Sequence, residues 1–480
     1  MMPRIYKYCF IFFFSSLSIF SHLAIFTKCY AQSITWQRTY DGPAHYHDGG
    51  YDICQADGEN FYAVGYVSVS EGGINERIHV QKCNRYGDTL WTRNPSYGRC
   101  FSIVSDNNGG CVFIADSLVH LNSQGTLVWK KPYNCCNIQC EKIIRTADGY
   151  YIACGSANFT NACVIKFDST GNLIWQKIYT STAYKGFLGI TESVDRKKYL
   201  LSGYTNLTQT DTTRGTITEL DTQGTVIWER VFRIEGNTTC DRILRTTNGY
   251  LIAGKTALPY PGIFKSYFIR TDTAGNLYYT KLFETTVGEL FGDLIKIDEN
   301  KYVISMGHDS GIITKLKLKI TDSTGNELNS RIYPTGNYIE TYSTMKVSNG
   351  DLIFVGDARY TFSENADIYI LRTDSLLNAP PPIGIIQTET ENPRVSFLYQ
   401  NYPNPFNPNT AISFDLPVSG HTTLFLYDIT GKIVKELVDA YKPAGNYTVK
   451  FDGSNLASGV YFYRLLSGNY SQTKKMVLIK

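Results

Sequence analysis

Along most of the chain, apolar and polar residues alternate in short runs broken by turns that join an Asp or Asn to a Gly. One stretch shows the pattern whole. CDRILRT (240–246) alternates, Thr247-Asn248-Gly249 turns the chain, and GYLIAGKT (249–256) returns it. A variable loop then leads to SYFIRTD (266–272), and Thr273-Ala274-Gly275-Asn276 turns it into NLYYTKLF (276–283). Period-two alternation over such lengths predicts half-buried strands, and a Gly at the positive-φ position suits a tight hairpin loop. Each such stretch reads as four antiparallel strands.

The unit repeats. FDSTGNLIWQKIY (167–179) has counterparts in LNSQGTLVWKKPY (121–133), LDTQGTVIWERVF (220–232), TDTAGNLYYTKLF (271–283) and TDSTGNELNSRIY (321–333), with a rougher copy in CNRYGDTLWTR (83–93). A period of about 50 residues marks an array of small supersecondary units. The second strand recurs near Gly65, Ala115, Gly155, Gly203, Gly254, Gly307 and Gly356. Fourth strands match it in number, but one is displaced: ITWQRTY (34–40) precedes the first unit, while the last unit runs from DIYILRTD (367–374) into Pro380-Pro381-Pro382. An N-terminal strand that completes the last unit closes a ring and leaves no open sheet edge. The expected fold is all-β: a seven-bladed β-propeller over 32–379, then a linker over 380–396 and a small immunoglobulin-like β-sandwich over 397–480.

Composition narrows the function. Lys and Arg number 46 against 43 Asp and Glu, for a net charge of +3, with both signs spread evenly. That balance gives no electrostatic case for nucleic acid. The N-terminus carries Arg4 and Lys7, then an apolar run broken by Ser15, Ser16, Ser18 and Ser21. With Cys29-Tyr30-Ala31 before Gln32, residues 1–31 read as a secretory signal cleaved between Ala31 and Gln32.

Candidate chemistry is sparse. All five tryptophans, Trp36, Trp91, Trp129, Trp175 and Trp228, share one repeat position and are expected as core wedges between neighbouring blades rather than as a ligand platform. Turns such as Asp168-Ser169-Thr170-Gly171 lack the alternating acidic residues of a calcium cage. Ten cysteines follow the signal. Export makes disulfides or buried thiols the expectation, and Cys100, Cys140 and Cys240 share the start of the innermost strand. Beside that position stand Asp52, Glu141, Asp241 and Asp293, expected to accept hydrogen bonds between blades, with an acidic ring for a cation as the alternative. His45, His47 and Asp48 lack a nameable further ligand. No Gly-x-Ser-x-Gly, His-Glu-x-x-His or phosphate-binding glycine loop occurs. The expectation is a non-enzyme with no cofactor and no metal.

The blades differ most in their second-to-third strand loops and inter-blade loops, which leave a propeller on one face. They carry Tyr46, Tyr184, Tyr204, Tyr260, Phe264, Tyr360 and Phe362, a candidate face for stacking on sugar or peptide. The expected ligand is an extracellular polysaccharide or protein. A passive structural surface protein is a further alternative.

Two resemblances extend this reading. The Asp-x-x-Gly-x-x-x-Trp repeat resembles the docking motif of quinoprotein-type propellers, which would allow a quinone-dependent dehydrogenase; Cys135-Cys136 match the adjacent cysteines of that family, although its usual eight blades and its cofactor residues are not matched. A polysaccharide-cleaving propeller is the other enzyme alternative. In the C-terminal segment, NYPNPFNPNT, LYDITGK, AGNYTVKFDG, LASGVYFYRL and KKMVLIK resemble the type A C-terminal sorting domain of the type IX secretion system. Asn401, Tyr402, Pro403, Asn404, Pro405, Phe406, Asn407, Pro408, Gly431, Gly445, Gly459, Lys475 and Lys480 carry the match. The resemblance implies recognition by the type IX translocon and removal of the sandwich by a surface sortase-like peptidase cutting within 379–396. It also implies joining to an anionic lipopolysaccharide, on the outer surface of a Gram-negative bacterium or beyond it.

Overall fold

The alternating runs form strands throughout. The computed structural model describes residues 34–42, 44, 46–70, 75–133, 138–181, 183–206, 208, 211–257, 263–283, 288–309, 313–333, 338–359, 365–379, 397–401, 403–443, 445–468 and 470–480. The signal segment with Ala31 and Gln32, His45, Cys135, Cys136, Tyr260, Tyr360, Phe362, Tyr402 and residues 380–396 fall outside this description.

Up to Thr373 the strands group in fours. Five units and a sixth follow the chain from Asp48–Gln55 to Glu327–Tyr333. The seventh takes Tyr338–Lys346, Leu352–Arg359 and Asp367–Thr373, and its fourth strand is Trp36–Tyr40, antiparallel to Asp367–Thr373 with Trp36 opposite Arg372. The sixth and seventh units share one sheet only through a single parallel pair, Thr314 with Tyr338.

Seven apolar clusters lie between these units. One joins the first to the seventh, packing Ile53 and Phe61 on Met345, Ile353 and Ile370 around Trp36. The others join successive neighbours, as Ile152 and Val164 pack on Phe187 and Leu201. A row of seven units has six interfaces, and a ring has seven. We read the units as blades of a closed ring on that basis. Burial of facing side chains between blades is the main stabilising force.

The tryptophan expectation needs a correction. Trp36 is buried, but Trp91, Trp129, Trp175 and Trp228 lie on outer strands and are half-buried. They pack on the edges of the inter-blade clusters, as wedges between blades, but at less depth than a core residue. Each indole lies against the turn glycine of the next blade, Gly87, Gly125, Gly171, Gly224 or Gly275, all at positive φ. The turn carboxylates work locally: Asp168 Oδ1 accepts the N–H groups of Thr170 at 2.8 Å and Asn172 at 2.9 Å.

Beyond the linker, Phe397–Leu398, Asn409–Leu416 and Gly445–Asp452 form one sheet, and Ile433–Lys442, Gly420–Tyr427, Gly459–Ser467 and Tyr470–Leu478 another. Ile412, Phe414, Leu424, Tyr463 and Met476 share their core. The Pro-rich segment is stitched to the last strand: Phe406 N–H donates to Val477 O at 2.9 Å, and Val477 N–H to Asn404 Oδ1 at 2.8 Å.

Candidate functional site

The innermost strand of a blade carries a bulge near its start. The ladder skips one residue at Tyr51, Glu141, Leu188, Asp241, Gly292 and Tyr342. In the second blade, whose strand begins at Ser102, Phe101 holds the same place. A bulge adds a residue without a ladder partner and re-aims its side chain. It also explains the recurrent second-strand glycine. A Cβ on Gly65, Gly155, Gly203, Gly254 or Gly356 would lie 1.8 to 2.0 Å from a carbonyl oxygen of the bulged strand.

These seven residues converge. Tyr51, Phe101, Glu141, Leu188, Asp241, Gly292 and Tyr342 all line one cavity of about 280 Å³. Arg242, Lys255, Phe291 and Glu340 join them. Glu340 lies nearer its strand's start than Tyr342, so the cavity extends toward the end where the inter-blade loops enter.

The four carboxylates noted in the sequence divide between two successive positions. Asp52 and Asp293 follow the bulge and serve the ring itself. Asp52 is buried and accepts from Ser102 Oγ at 2.6 Å, Ile103 N–H at 3.0 Å, Ser343 Oγ and Lys142 Nζ at 2.9 Å, tying four blades together. Asp293 accepts from Arg242 Nε at 2.7 Å and Thr344 N–H at 2.6 Å. Glu141 and Asp241 are bulge residues and face the cavity. Asp241 is only 7 % exposed, and its Oδ2 makes no hydrogen bond of normal geometry among the described residues, with the Thr239 hydroxyl beside the carboxyl. The nearest cation, Lys255 Nζ, is 3.9 Å away. Burial pushes the carboxyls of Glu141 and Asp241 up from their usual range. The expected single layer of inter-blade acceptors therefore holds for Asp52 and Asp293 and not for the other pair.

Of the candidate ligand face, Tyr184 opens one inner strand, and the Tyr204 ring packs over Gly186 within the same blade. Tyr46 is half-buried in an inter-blade loop, and Phe264 is 45 % exposed at a strand start. These side chains belong to the loop-bearing end, but none of the four lines the cavity. At the other end of the inner strands a second cavity, about 440 Å³, is lined by Arg145, Arg196, Arg245 and Glu192 among others.

Among the described residues, neither cysteines nor histidines build a centre. The eight described cysteines are thiols, seven of them buried. Burial pushes the Cys100 thiol far up, and its Sγ donates to Ser102 O at 3.5 Å. Cys100 and Cys140 thus stay as thiols rather than pairing. His47 Nδ1 accepts the Ala366 N–H at 3.1 Å, which leaves it as a link between the first and last blades. Asp41, Asp48 and Asp367 form the one group of three possible metal ligands among the described residues. There Asp48 accepts the N–H groups of Gly42 and Ser68.

Comparison with known proteins separates the two parts. Residues 400–480 match the family of the secretion system C-terminal sorting domain. The chain is thus cargo of the type IX machinery, exported to the cell surface or beyond in a Gram-negative bacterium. No curated protein matches it. Among solved structures, YCF48 bound to a D1 peptide is similar at 14 % identity, covering 72 % of this chain and 96 % of that one, with a TM-score of 0.44. The WD40 domain of Toxoplasma gondii coronin is similar at 9 % identity, with coverages of 71 % and 87 % and a TM-score of 0.42. PorZ of Porphyromonas gingivalis is similar at 9 % identity, with coverages of 90 % and 81 % and a TM-score of 0.26.

Proposed function

We propose that this chain is an extracellular binding protein whose propeller holds a polysaccharide or protein at its loop-bearing end. The observation that carries the reading is the convergence on one cavity of the residue at this position in every blade, six of them bulge residues. A scaffold that needed only to close would leave its axis to ladder hydrogen bonds. Here a cavity holds a buried carboxylate oxygen without a hydrogen bond of normal geometry among the described residues, and the strands and loop that bear Tyr46, Tyr184 and Phe264 belong to the same end. Concave sites with a few convergent polar groups are the usual form of a ligand site. We extend the reading to delivery. The sandwich, from about residue 397, docks with the translocon and is removed by a sortase-like peptidase within 379–396. The propeller is left on anionic lipopolysaccharide or released.

Glycan and surface-protein arrays probed with the exported protein test the binding. Signal lost in a Tyr204→Ala/Phe264→Ala double variant that keeps the wild-type melting temperature supports recognition at this end. No signal from folded protein would leave a passive surface role.

A second reading has one observation in its favour. Glu141 and Asp241 face the same cavity from separate blades, and burial raises both carboxyls. A raised carboxyl and a second carboxylate are the equipment of glycoside cleavage. Release of reducing ends from a bound polysaccharide, abolished in Glu141→Gln, would establish it, and turnover at background rates would exclude it.

A further inference from the structure

The charge and the walls of the channel cavity specify a ligand class. Lining carboxylates come from Glu141, Asp241 and Glu340, and lining cations from Lys255 and Arg242. Arg242 is already committed: its Nε meets Asp293 at 2.7 Å and its Nη2 the Tyr342 carbonyl at 2.8 Å. With that pair neutral, the cavity holds three carboxylates against one ammonium. An anionic ligand would be repelled.

Part of the cavity wall is aromatic. The Tyr51 ring centroid lies 4.7 Å from that of Phe101 and 5.5 Å from that of Tyr342, so residues of three consecutive blades make one arc. The negative face of an aromatic ring attracts a cation, most strongly out of bulk water. A bare metal ion fits poorly, because the three carboxylates do not come together as close ligands; among the described residues only Asp41, Asp48 and Asp367 do so. An ammonium group suits separated acceptors, since its N–H donors diverge. Asp241 Oδ2, buried without a hydrogen bond of normal geometry among the described residues, supplies one such acceptor. The volume of about 280 Å³ falls just under the roughly 300–1,000 Å³ of drug-sized pockets, which limits the ligand to one small unit.

We infer that this cavity binds a small organic ammonium ion, with the amine on Asp241 and Glu141 and its carbon face on the Tyr51–Phe101–Tyr342 arc. This rests on the reading of the cavity as a ligand site. An amino sugar with a free amine uses both the carboxylates and the rings. The raised carboxyls agree, because burial disfavours the charge on Glu141 and on Asp241, and a bound cation stabilises both as carboxylates.

Calorimetry on the exported protein with glucosamine, N-acetylglucosamine and choline tests it. Glucosamine is expected to bind at least tenfold tighter than its N-acetyl form, which keeps the ring and loses the charge, and choline to compete. Asp241→Asn and Glu141→Gln should each weaken glucosamine at least tenfold at unchanged melting temperature. If either variant is unfolded, Phe101→Leu, which keeps every charge, should weaken choline instead. Equal binding of both sugars would overturn the ammonium inference while leaving the cavity a ligand site. Absence of binding by all three probes, with array binding intact, would overturn it and leave the loop-bearing end as the site.

Discussion

The Trp175 indole donates its Nε1–H to the carbonyl of Thr222, 3.1 Å away in the next blade, and its ring lies on Gly224 at φ +75°. The same clasp recurs from Trp36 to Arg85 O at 3.0 Å and from Trp91 to Ser123 O at 3.1 Å. A Cβ on Gly224 would meet the indole at 2.9 Å in a backbone conformation that side chains resist. Gly224→Ala should therefore cost about 1–3 kcal/mol and Trp175→Phe about 1 kcal/mol. Denaturant melts of the two variants check the order. Equal stability of Gly224→Ala and wild type would remove the clasp from the account.

Asp52 holds the first, second, third and seventh blades through Ser102, Lys142 and Ser343. Asp52→Ala leaves Lys142 without that partner and should cost about 3–5 kcal/mol. The Lys142 ammonium and the two hydroxyls hold the Asp52 carboxyl below its usual range despite burial. Its stabilisation is thus present above the unfolded carboxyl range and lost as pH falls through the folded value. Acid melts should show a transition that Asp52→Asn reduces.

Asp357 behaves in the opposite sense. Burial, with Glu340 directly across the ladder, raises its carboxyl to about 7. The folded state then holds a proton that the unfolded state has released, so stability falls as pH rises from about 4 toward 7. Asp357→Asn should flatten that slope and be more stable than wild type at pH 8. Melting temperatures across this range decide it, and parallel curves for the two proteins would refute the assignment.

In the sorting domain, Phe406 is 2 % exposed and exchanges hydrogen bonds with the last strand through Val477 and Ile479. Phe406→Ala should cost about 3–5 kcal/mol. Removal of residues 476–480 takes away Met476 and Leu478 from the core. Both changes should leave the protein in the periplasm, measured by fractionation. Normal surface delivery of the truncated chain would contradict the dependence of sorting on this fold.

Strands, turns and the displaced closing strand were legible because each rests on local chemistry. Period-two alternation and an Asp-x-x-Gly turn act within a few residues, and the Pro-rich segment with its glycines carries the sorting domain by itself. The cavity was not legible. A bulge is a shift of one residue between two ladder pairs, so Asp52 and Asp241 look alike in the sequence, although one knits the ring and the other faces its axis. The usable signal was small. Phe101, Glu141 and Asp241 each directly follow one of the cysteines at a shared register, and five second-strand glycines mark the close approach that a bulge demands. The tryptophans were placed correctly between blades but too deep, because strict register reports a shared partner and says nothing of solvent.

Trp36 pairs with Arg372, whereas the three ladders inside any other blade join residues far closer along the chain. Closing that pair is the most entropically demanding contact of the propeller, and it waits until nearly all of the propeller chain has been made. Until then the strand at 36–40 and the edge at 367–373 both stand open, each a template for the wrong neighbour. The order of events is set by that pairing: a chain cut short before Asp367 leaves its first strand unmatched, and only a finished one completes its last sheet.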